Sequence, residues 1–168
     1  MQLVSIADVV PTVRIDLRYA SDRNTLGRPL YDPHFSARLR PEAAAALVRA
    51  TAFLEPAGYR LVVWDAYRPP EVQLYLLDVQ PSARDTYVLT DSNHCQGLAV
   101  DVTLMSSQGA VLDMGTDHDE FSSRAHINAT GLTAEQQGNR KTLMDAMVTA
   151  GFSQWPYEWW HYDFANVQ

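Results

Sequence analysis

Two short segments of the chain carry the side chains best suited to chemistry. His94 and Asp101 lie in the first segment, and Glu158 and His161 lie in the second, near the C-terminus. Two imidazoles and one carboxylate form a zinc-ligand set that leaves a fourth position open for water. A further carboxylate beside that water can act as a general base. The sequence therefore predicts a metal centre with an activated water, provided that the fold joins the two segments and covers them with a substrate pocket.

The spacing within each segment makes a geometric demand on the backbone. His94 and Asp101 are seven residues apart, so they would point to opposite faces of an unbroken strand. Gly97 lies between them and can re-aim the chain, which predicts His94 at the strand entrance and Asp101 on the strand itself. Glu158 and His161 are three residues apart and pose the same problem. We therefore expect a turn or bulge between these two residues.

Each of these residues also has a simpler interpretation. Asp101 is flanked by apolar residues, so its carboxylate must be paired, hydrogen-bonded or bound to a metal. Taken alone, Asp101 would be a hydrogen-bonded buried aspartate and His161 a core histidine. It is the combination with His94 and Glu158 that favours a metal centre. Two histidines and one carboxylate also form the iron site of non-haem oxygenases, which is kept as an alternative.

Length and composition limit the classes of protein that fit. The 168 residues suit one domain, residues 1–168, with one sizeable core. Apolar residues make up 46% of the chain, which is ordinary for a globular protein. The net charge of −7 and the lack of any basic run argue against a nucleic-acid binder.

The expected location follows from three simple features. Cys95 is the only cysteine, so no intrachain disulfide can form. No apolar run approaches the length of a membrane span, and no membrane partner is expected. Residues 1–8 lack a cationic segment followed by a long apolar stretch, as a signal peptide would have. A cytoplasmic protein is therefore the expectation.

The order of predicted elements indicates the fold class. Apolar or alternating runs predict strands over Val13–Tyr19, Tyr59–Trp64, Leu98–Leu104 and Tyr157–Phe164. Helices are predicted from Pro41 to about Leu54, from about Glu71 to Asp78, and from a capping box at Thr133 to about Ala150. A turn-rich loop is predicted over Ser21–Pro33. Because no regular βαβ rhythm appears, we predict an α+β fold with a small, largely antiparallel sheet and packed helices.

Five motifs make the chain recognisable as a whole. In chain order they are Asp16-Leu17-Arg18-Tyr19-Ala20, Asp65-Ala66-Tyr67-Arg68-Pro69, Ser92-x-His94-x-x-Gly97-x-Ala99-x-Asp101, Asp113-Met114-Gly115-Thr116 with Asp119-x-Phe121, and Glu158-Trp159-Trp160-His161. The chain resembles the D-alanyl-D-alanine dipeptidases, the VanX-type branch of zinc peptidases that is related to D,D-carboxypeptidases and hedgehog-like domains. The resemblance spans residues 13 to 164 and implies a hedgehog/D,D-peptidase-like fold.

This resemblance implies a role for each matching residue. His94, Asp101 and His161 would hold one zinc ion per chain. Glu158 would be the general base that takes the proton of the attacking water and passes it to the leaving amine. Arg68 would stabilise the developing oxyanion, since its charge is permanent and its donors form a fixed fork.

The substrate of the family has a free amino group, and three further residues match positions that bind it. These are Ser92, Asp119 and Tyr19. One departure lies close by, because His118 stands where the family commonly has an aromatic residue, often Phe. Asp117 and Asp119 flank His118 in the sequence, so we expect its side chain at the surface.

The implied activity is zinc-dependent hydrolysis of the dipeptide D-Ala-D-Ala to two D-alanines. The alternatives are a D,D-carboxypeptidase or cell-wall endopeptidase with the same metal centre, and a non-catalytic zinc-stabilised binding module. Glu158 argues against the last, since such a module needs no base beside its metal. A small peptide is the expected partner, while the oligomeric state is left open. The biological role is also left open, and it is either glycopeptide resistance or the use of D-alanine as a nutrient.

Three other candidate ligands are set aside. Cys95 adjoins His94, and adjacent residues rarely both reach one metal, so a packed thiol is expected. His34 and His126 have no partner at metal-ligand spacing and are expected to be structural or exposed.

Overall fold

The computed structural model describes residues 1–164. The helices are α1 (Ile6–Val9), α2 (Pro41–Leu54), α3 (Pro70–Val79) and α4 (Ala134–Thr149). The strands are β1 (Val4–Ser5), β2 (Arg14–Ile15), β3 (Arg38–Leu39), β4 (Tyr59–Asp65), β5 (Ala99–Ser106), β6 (Phe152–Gln154) and β7 (His161–Phe164). Short 3-10 helices cover Arg18–Ala20, Glu55–Ala57, Pro81–Ala83 and Asn93–Gln96.

The main sheet has five strands in the order β2-β4-β5-β7-β6. The β2–β4 pair is parallel, and the other three pairs are antiparallel. β1 and β3 form a separate two-stranded antiparallel sheet. Helices α2 and α4 pack against each other, α2 contacts β4, and α4 contacts β5. The predicted α+β class with a largely antiparallel sheet is therefore confirmed.

The two long helices begin and end where their sequence signals predict. Pro41 occupies the first turn of α2, where its missing N–H costs nothing. Gly58, with φ of 82°, adopts the left-handed conformation just after the 3-10 turn that follows α2. At α4, Thr133 Oγ1 accepts from the backbone N of Gln136 at 3.1 Å, and Gln136 Oε1 accepts from the backbone N of Thr133 at 3.0 Å. The predicted capping box is therefore confirmed.

Two predicted strands are shorter than expected. The first covers only Arg14–Ile15, because the chain then turns into the 3-10 helix that buries Tyr19. The last begins at His161 rather than Tyr157, because residues 157–160 form the link between β6 and β7. In both cases the sequence continues to alternate or stay apolar, but the residues pack inward from a turn rather than from a strand.

The centre of the fold is β5, whose residues from Ala99 to Met105 are all buried. A strand covered on both faces gives its side chains little freedom, which suits a site that must hold fixed distances. Over residues 1–164, no helix is long and apolar enough to cross a membrane.

Candidate active site

Three strands bring acidic and imidazole side chains into one row. In the register of the antiparallel sheet, Asp101 of β5 lies opposite His161 of β7, and Asp65 of β4 lies opposite Asp101. Directly opposed residues share a face of the sheet. The register of β4 shifts between Val63 and Asp65, and this bulge turns Asp65 to the same face as Asp101. The sequence predicted that Asp101 and His161 lie at one site, but it gave no sign of the bulge before Asp65.

His94 enters this row from the 3-10 helix that precedes β5. Ser92 Oγ accepts from the backbone N of His94 at 3.3 Å and so caps that helix. Gly97 ends it with φ of 66°, and a Cβ there would lie 2.6 Å from Leu3 Cδ2. The predicted position of His94 at the strand entrance, with Gly97 as the turning point, is confirmed.

In each of the three expected ligands, one nitrogen or oxygen atom faces the other two residues, and these three atoms form a small triangle. His94 Nε2 lies 3.2 Å from His161 Nδ1, and Asp101 Oδ1 lies 3.3 Å from His94 Nε2 and 3.0 Å from His161 Nδ1. Ligand atoms around a tetrahedral zinc, at bonds of about 2.0–2.2 Å, are about 3.3 Å apart. The donor set and its spacing therefore fit zinc.

In both histidines, the ring nitrogen that is not part of the triangle, here called the outer nitrogen, lies beside a hydrogen-bond acceptor. His94 Nδ1 lies 2.6 Å from the carbonyl oxygen of Ala66, and His161 Nε2 lies 3.1 Å from Asp163 Oδ1. Asp163 in turn accepts from Asn93 Nδ2 at 3.0 Å. When each outer nitrogen carries the proton of a neutral ring, the inner lone pairs face each other and the carboxylate of Asp101. A cation between them satisfies all three groups.

Glu158 lies on the turn that precedes β7. The backbone N of His161 donates to the carbonyl oxygen of Glu158 at 3.3 Å, and Glu158 Oε2 lies 3.8 Å from His161 Nδ1. The turn predicted from the spacing of these residues is therefore confirmed. Burial raises the pKa of Glu158 to about 8 in the metal-free chain, with His161 opposing the shift and Asp101 adding to it. A buried carboxylate of raised pKa beside a ligand cluster can take up a proton.

Arg68 lies on the other side of Asp101. Its Nε and Nη2 donate to Asp65 Oδ2 at 2.9 and 2.8 Å, and its Nη1 donates to Gln73 Oε1 at 2.6 Å. Nη2 also lies 3.8 Å from Asp101 Oδ2, and Cζ lies 5.0 Å from the ring centre of Tyr19. A guanidinium held at so many points presents its charge to the cavity in a fixed direction.

The residues expected to bind the substrate amine lie at the same cavity. Tyr19 Oη donates to Asp119 Oδ2 at 2.5 Å, and the Asp119 side chain is buried with its backbone in the left-handed region, φ 57°. Ser92 is also buried and lines the cavity, although its hydroxyl accepts from the His94 backbone. The structure thus brings every predicted site residue to one cavity, and the roles of these residues stay predictions.

The cavity itself is small, with a volume of about 90 Å³. Pockets for drug-sized ligands are typically about 300–1,000 Å³, so this one suits a short ligand. Its apolar wall was not anticipated from sequence, because its members come from separate loops with no common spacing. They are Tyr87, Val88, Leu89, Phe121 and Trp155.

The expectation that His118 lies at the surface is wrong. Its side chain is buried, and its Nε2 lies 3.0 Å from Asp101 Oδ2. The rings of Tyr19, Trp64 and Trp160 surround it, with centres 5.8, 5.5 and 5.6 Å away. The acidic neighbours of His118 suggested solvent, but three aromatic rings from distant parts of the chain create a niche that sequence spacing does not reveal.

The remaining candidates lie apart from the ligand cluster. His34 is exposed, and His126 is half-buried with its Nε2 2.9 Å from Tyr87 Oη. Cys95 is half-buried, and burial raises the pKa of its thiol. Asp163 was overlooked, although it follows His161 by two residues, the period that places side chains on one face of a strand.

Comparison with known proteins identifies the family. The model of the Peptidase_M15 family, D-ala-D-ala dipeptidase, matches residues 1–167. The D-alanyl-D-alanine dipeptidase of Escherichia coli K12 is 34% identical over 167 residues, covering 99% of this chain and 86% of that protein. The D-alanyl-D-alanine dipeptidase of Enterococcus faecium is 32% identical, covering 92% of this chain and 87% of that protein.

A solved structure supports the fold. The D,D-pentapeptidase VanY of a VanB-type vancomycin resistance cassette, crystallised with Zn(II), superposes with a TM-score of 0.50 at 18% identity. The match covers 80% of this chain and 76% of the VanY chain, and it bears on the fold alone. The near full-length family match and the relatives at 34% and 32% identity show that the chain is a peptidase belonging to the Peptidase_M15 family of D-Ala-D-Ala dipeptidases.

Proposed function

We propose that the chain, acting as one domain over residues 1–168, hydrolyses D-Ala-D-Ala to two D-alanines with one zinc ion. The observation that carries the proposal is the triangle of His94 Nε2, His161 Nδ1 and Asp101 Oδ1, with Glu158 Oε2 3.8 Å from one corner. The dipeptidase activity named for relatives at 34% and 32% identity supports it.

In this proposal Glu158 moves the proton. His94, Asp101 and His161 would hold the zinc ion, which would supply a Lewis acid to acidify water and polarise the scissile carbonyl. Glu158 accepts the proton of the attacking water and delivers it to the leaving amine. Its position supports this role, because Glu158 Oε2 lies 3.8 Å from His161 Nδ1, one of the proposed ligand atoms.

Arg68 and the acidic residues then act on different parts of the substrate. The guanidinium of Arg68 faces the oxygen on which negative charge develops, in a position fixed by Asp65 and Gln73. Asp119, with Tyr19 beside it, receives the free ammonium group of the dipeptide. Ser92 lies at the same wall and adds a hydroxyl to this end of the cavity.

The size of the cavity favours a dipeptide over a longer peptide. A volume of about 90 Å³ is far below that of pockets for drug-sized ligands, which disfavours a long peptide. The apolar wall suits methyl side chains rather than polar ones. An N-acylated substrate would also lose the ammonium group that Asp119 attracts.

A paired peptide assay tests the proposal. The protein is given D-Ala-D-Ala or an N-acetylated peptide ending in D-Ala-D-Ala, each with and without a zinc chelator. We expect release of D-alanine from the free dipeptide alone, loss of that release with chelator, and recovery when zinc is restored. Cleavage of only the acetylated peptide would point to a D,D-carboxypeptidase, and cleavage of neither peptide would point to a binding module.

The physiological role is tested separately. Removal of D-Ala-D-Ala serves either glycopeptide resistance or growth on D-alanine. Loss of vancomycin tolerance in a deletion strain would support the first role. Loss of growth on D-Ala-D-Ala as nitrogen source would support the second.

A further inference from the structure

The imidazole of His118 contacts the oxygen of Asp101 that does not face His94 and His161. Asp101 turns its Oδ1 towards His94 and His161, at 3.3 and 3.0 Å, while its Oδ2 lies 3.0 Å from His118 Nε2. A carboxylate oxygen only accepts, so Nε2 carries a hydrogen and donates it. The two oxygens of Asp101 therefore have different partners and different tasks.

Within residues 1–164, the side-chain hydrogen bond to Asp101 Oδ2 comes from His118. Arg68 Nη2 is the next cationic donor, and at 3.8 Å it is beyond hydrogen-bonding distance. Without His118, Asp101 Oδ2 would lose this hydrogen bond, which leaves the orientation of the carboxylate less tightly fixed. It could then offer the metal either oxygen, or both.

The ring of His118 is itself held in place. Its side chain is 1% exposed, and the rings of Trp64 and Trp160 both pack against it in T-shaped arrangements. Its backbone N donates to Asp117 Oδ1 at 2.8 Å, which fixes the loop on which it lies. A donor fixed in this way can orient its acceptor, because neither the ring nor its backbone can follow a rotating carboxylate.

His118 also lies beside the carboxylate proposed to bind the substrate amine. Its Nε2 is 3.6 Å from Asp119 Oδ1, while Tyr19 donates to the other oxygen of Asp119. The same nitrogen of His118 thus lies against the carboxylates of both Asp101 and Asp119. Its position links the proposed metal ligand to the residue proposed to bind the ammonium group.

We propose that His118 is a positioning residue: its Nε2–H fixes Asp101 Oδ2 so that Oδ1 alone faces the metal, and the same nitrogen keeps the carboxylate of Asp119 beside that of Asp101. This inference rests on the proposed function, because it assumes a zinc ion at Asp101 and an ammonium group at Asp119. Loss of such an outer hydrogen bond typically lowers metal affinity or activity about 10- to 100-fold.

Two variants separate the hydrogen bond from the packing. His118→Gln keeps an N–H donor near the position of Nε2, whereas His118→Phe keeps a ring between Trp64 and Trp160 and has no donor. The zinc dissociation constant is measured by chelator competition, and kcat and KM for D-Ala-D-Ala are measured at saturating zinc. We expect the Phe variant to bind zinc about 10- to 100-fold more weakly and to show a raised KM, and the Gln variant to recover most of the affinity.

The outcomes bear on the inference and on the proposed function separately. Unchanged zinc affinity in a folded His118→Phe variant, or equal losses in the Phe and Gln variants, would overturn the positioning role while leaving wild-type hydrolysis intact. Failure of the wild-type chain to bind zinc or to cleave the dipeptide would refute the proposed function, and the inference with it. If the Phe variant melts early, His118→Asn gives the same contrast, since its shorter side chain cannot bring a donor to Asp101.

Discussion

The two ends of the cavity are built in different ways. The proposed metal end places Asp101 and His161 on neighbouring strands, directly opposed in the register, with His94 on the 3-10 helix that precedes β5. The proposed amine end, with Tyr19 and Asp119, lies on a 3-10 helix and a loop that meet only in the folded chain. Asp119 even adopts the left-handed backbone conformation, φ 57°, which side-chain-bearing residues seldom take.

This difference indicates which end of the cavity can accept substitutions most easily. Strand register moves every side chain together, so the metal end tolerates little change. Loops vary more freely, so the amine end is where substrate preference can shift while the metal chemistry stays the same. The predictions below separate zinc binding, turnover and substrate affinity to test this division.

The largest expected effect comes from the metal end. Asp101→Ala removes one of three ligands, so zinc content and dipeptide hydrolysis should both fall to background. Zinc is measured by mass spectrometry and D-alanine by a coupled assay. The matched control is Asp145→Ala, since Asp145 pairs with Lys141 on the surface and should change neither quantity. A full complement of zinc in Asp101→Ala would contradict the assigned ligand set.

The next effect compares two buried arginines. Arg68→Gln should lower kcat about 100- to 1,000-fold with zinc retained, because an electrostatic donor at the developing charge is lost. Arg140 is equally buried, but it donates to the carbonyl oxygens of Met114, His126 and Arg124 at 2.7, 3.1 and 2.8 Å.

Arg140→Gln therefore serves as the control for burial. It should lower the free energy of unfolding by about 1–3 kcal/mol, since buried carbonyls lose their donor, with a much smaller loss of turnover. Thermal melting and steady-state kinetics on both variants give the answer. If Arg140→Gln lost as much turnover as Arg68→Gln, Arg68 would have no special place at the cavity.

A smaller and different effect is expected at the amine end. Asp119→Asn removes a charge-assisted hydrogen bond to the ammonium group, worth about 1.5–3 kcal/mol, so KM should rise roughly 10- to 100-fold. Zinc affinity should stay close to that of the wild type. The neighbouring Asp117→Asn is the control, because it keeps the Oδ1 acceptor for the His118 backbone and removes only an exposed charge that pairs with Arg18. A loss of zinc with unchanged KM in Asp119→Asn would erase the division between the two ends.

The smallest expected effect concerns the residue behind His161. Asp163→Asn keeps an acceptor near His161 Nε2 but removes its charge, so zinc affinity should fall about tenfold, at the low end for such outer contacts. Chelator competition measures the change, and KM at saturating zinc should be unaltered. An unchanged zinc dissociation constant would show that the Asp163 charge is irrelevant to the metal end.

The two turns at the proposed metal end could be foreseen because their signals are local. The odd spacing of His94 and Asp101 required a turn, and Gly97 supplied it. The spacing of Glu158 and His161 required another turn, which the structure has. The long helices were equally predictable, since proline and capping signals act within one helical turn.

Tyr19 and Asp119 were expected at the amine end only from the family resemblance, and the packing around them could not be foreseen, because it depends on contacts between distant segments. The niche of His118 joins Tyr19, Trp64 and Trp160, and nothing in the spacing of these residues brings them together. The bulge before Asp65 is likewise set by pairing with β5 rather than by a local signal. Tertiary packing decided both features, and charged neighbours in the sequence misled the expectation for His118.

The central claim is that Glu158 acts as the base beside a zinc ion held by two distant segments. The most direct measurement is the zinc content and the kcat of Glu158→Gln, which keeps the shape of the side chain but cannot accept the proton. The account predicts one zinc ion per chain, as in the wild type, and a kcat about 100- to 10,000-fold lower. Wild-type turnover in this variant would contradict it, and so would loss of the metal.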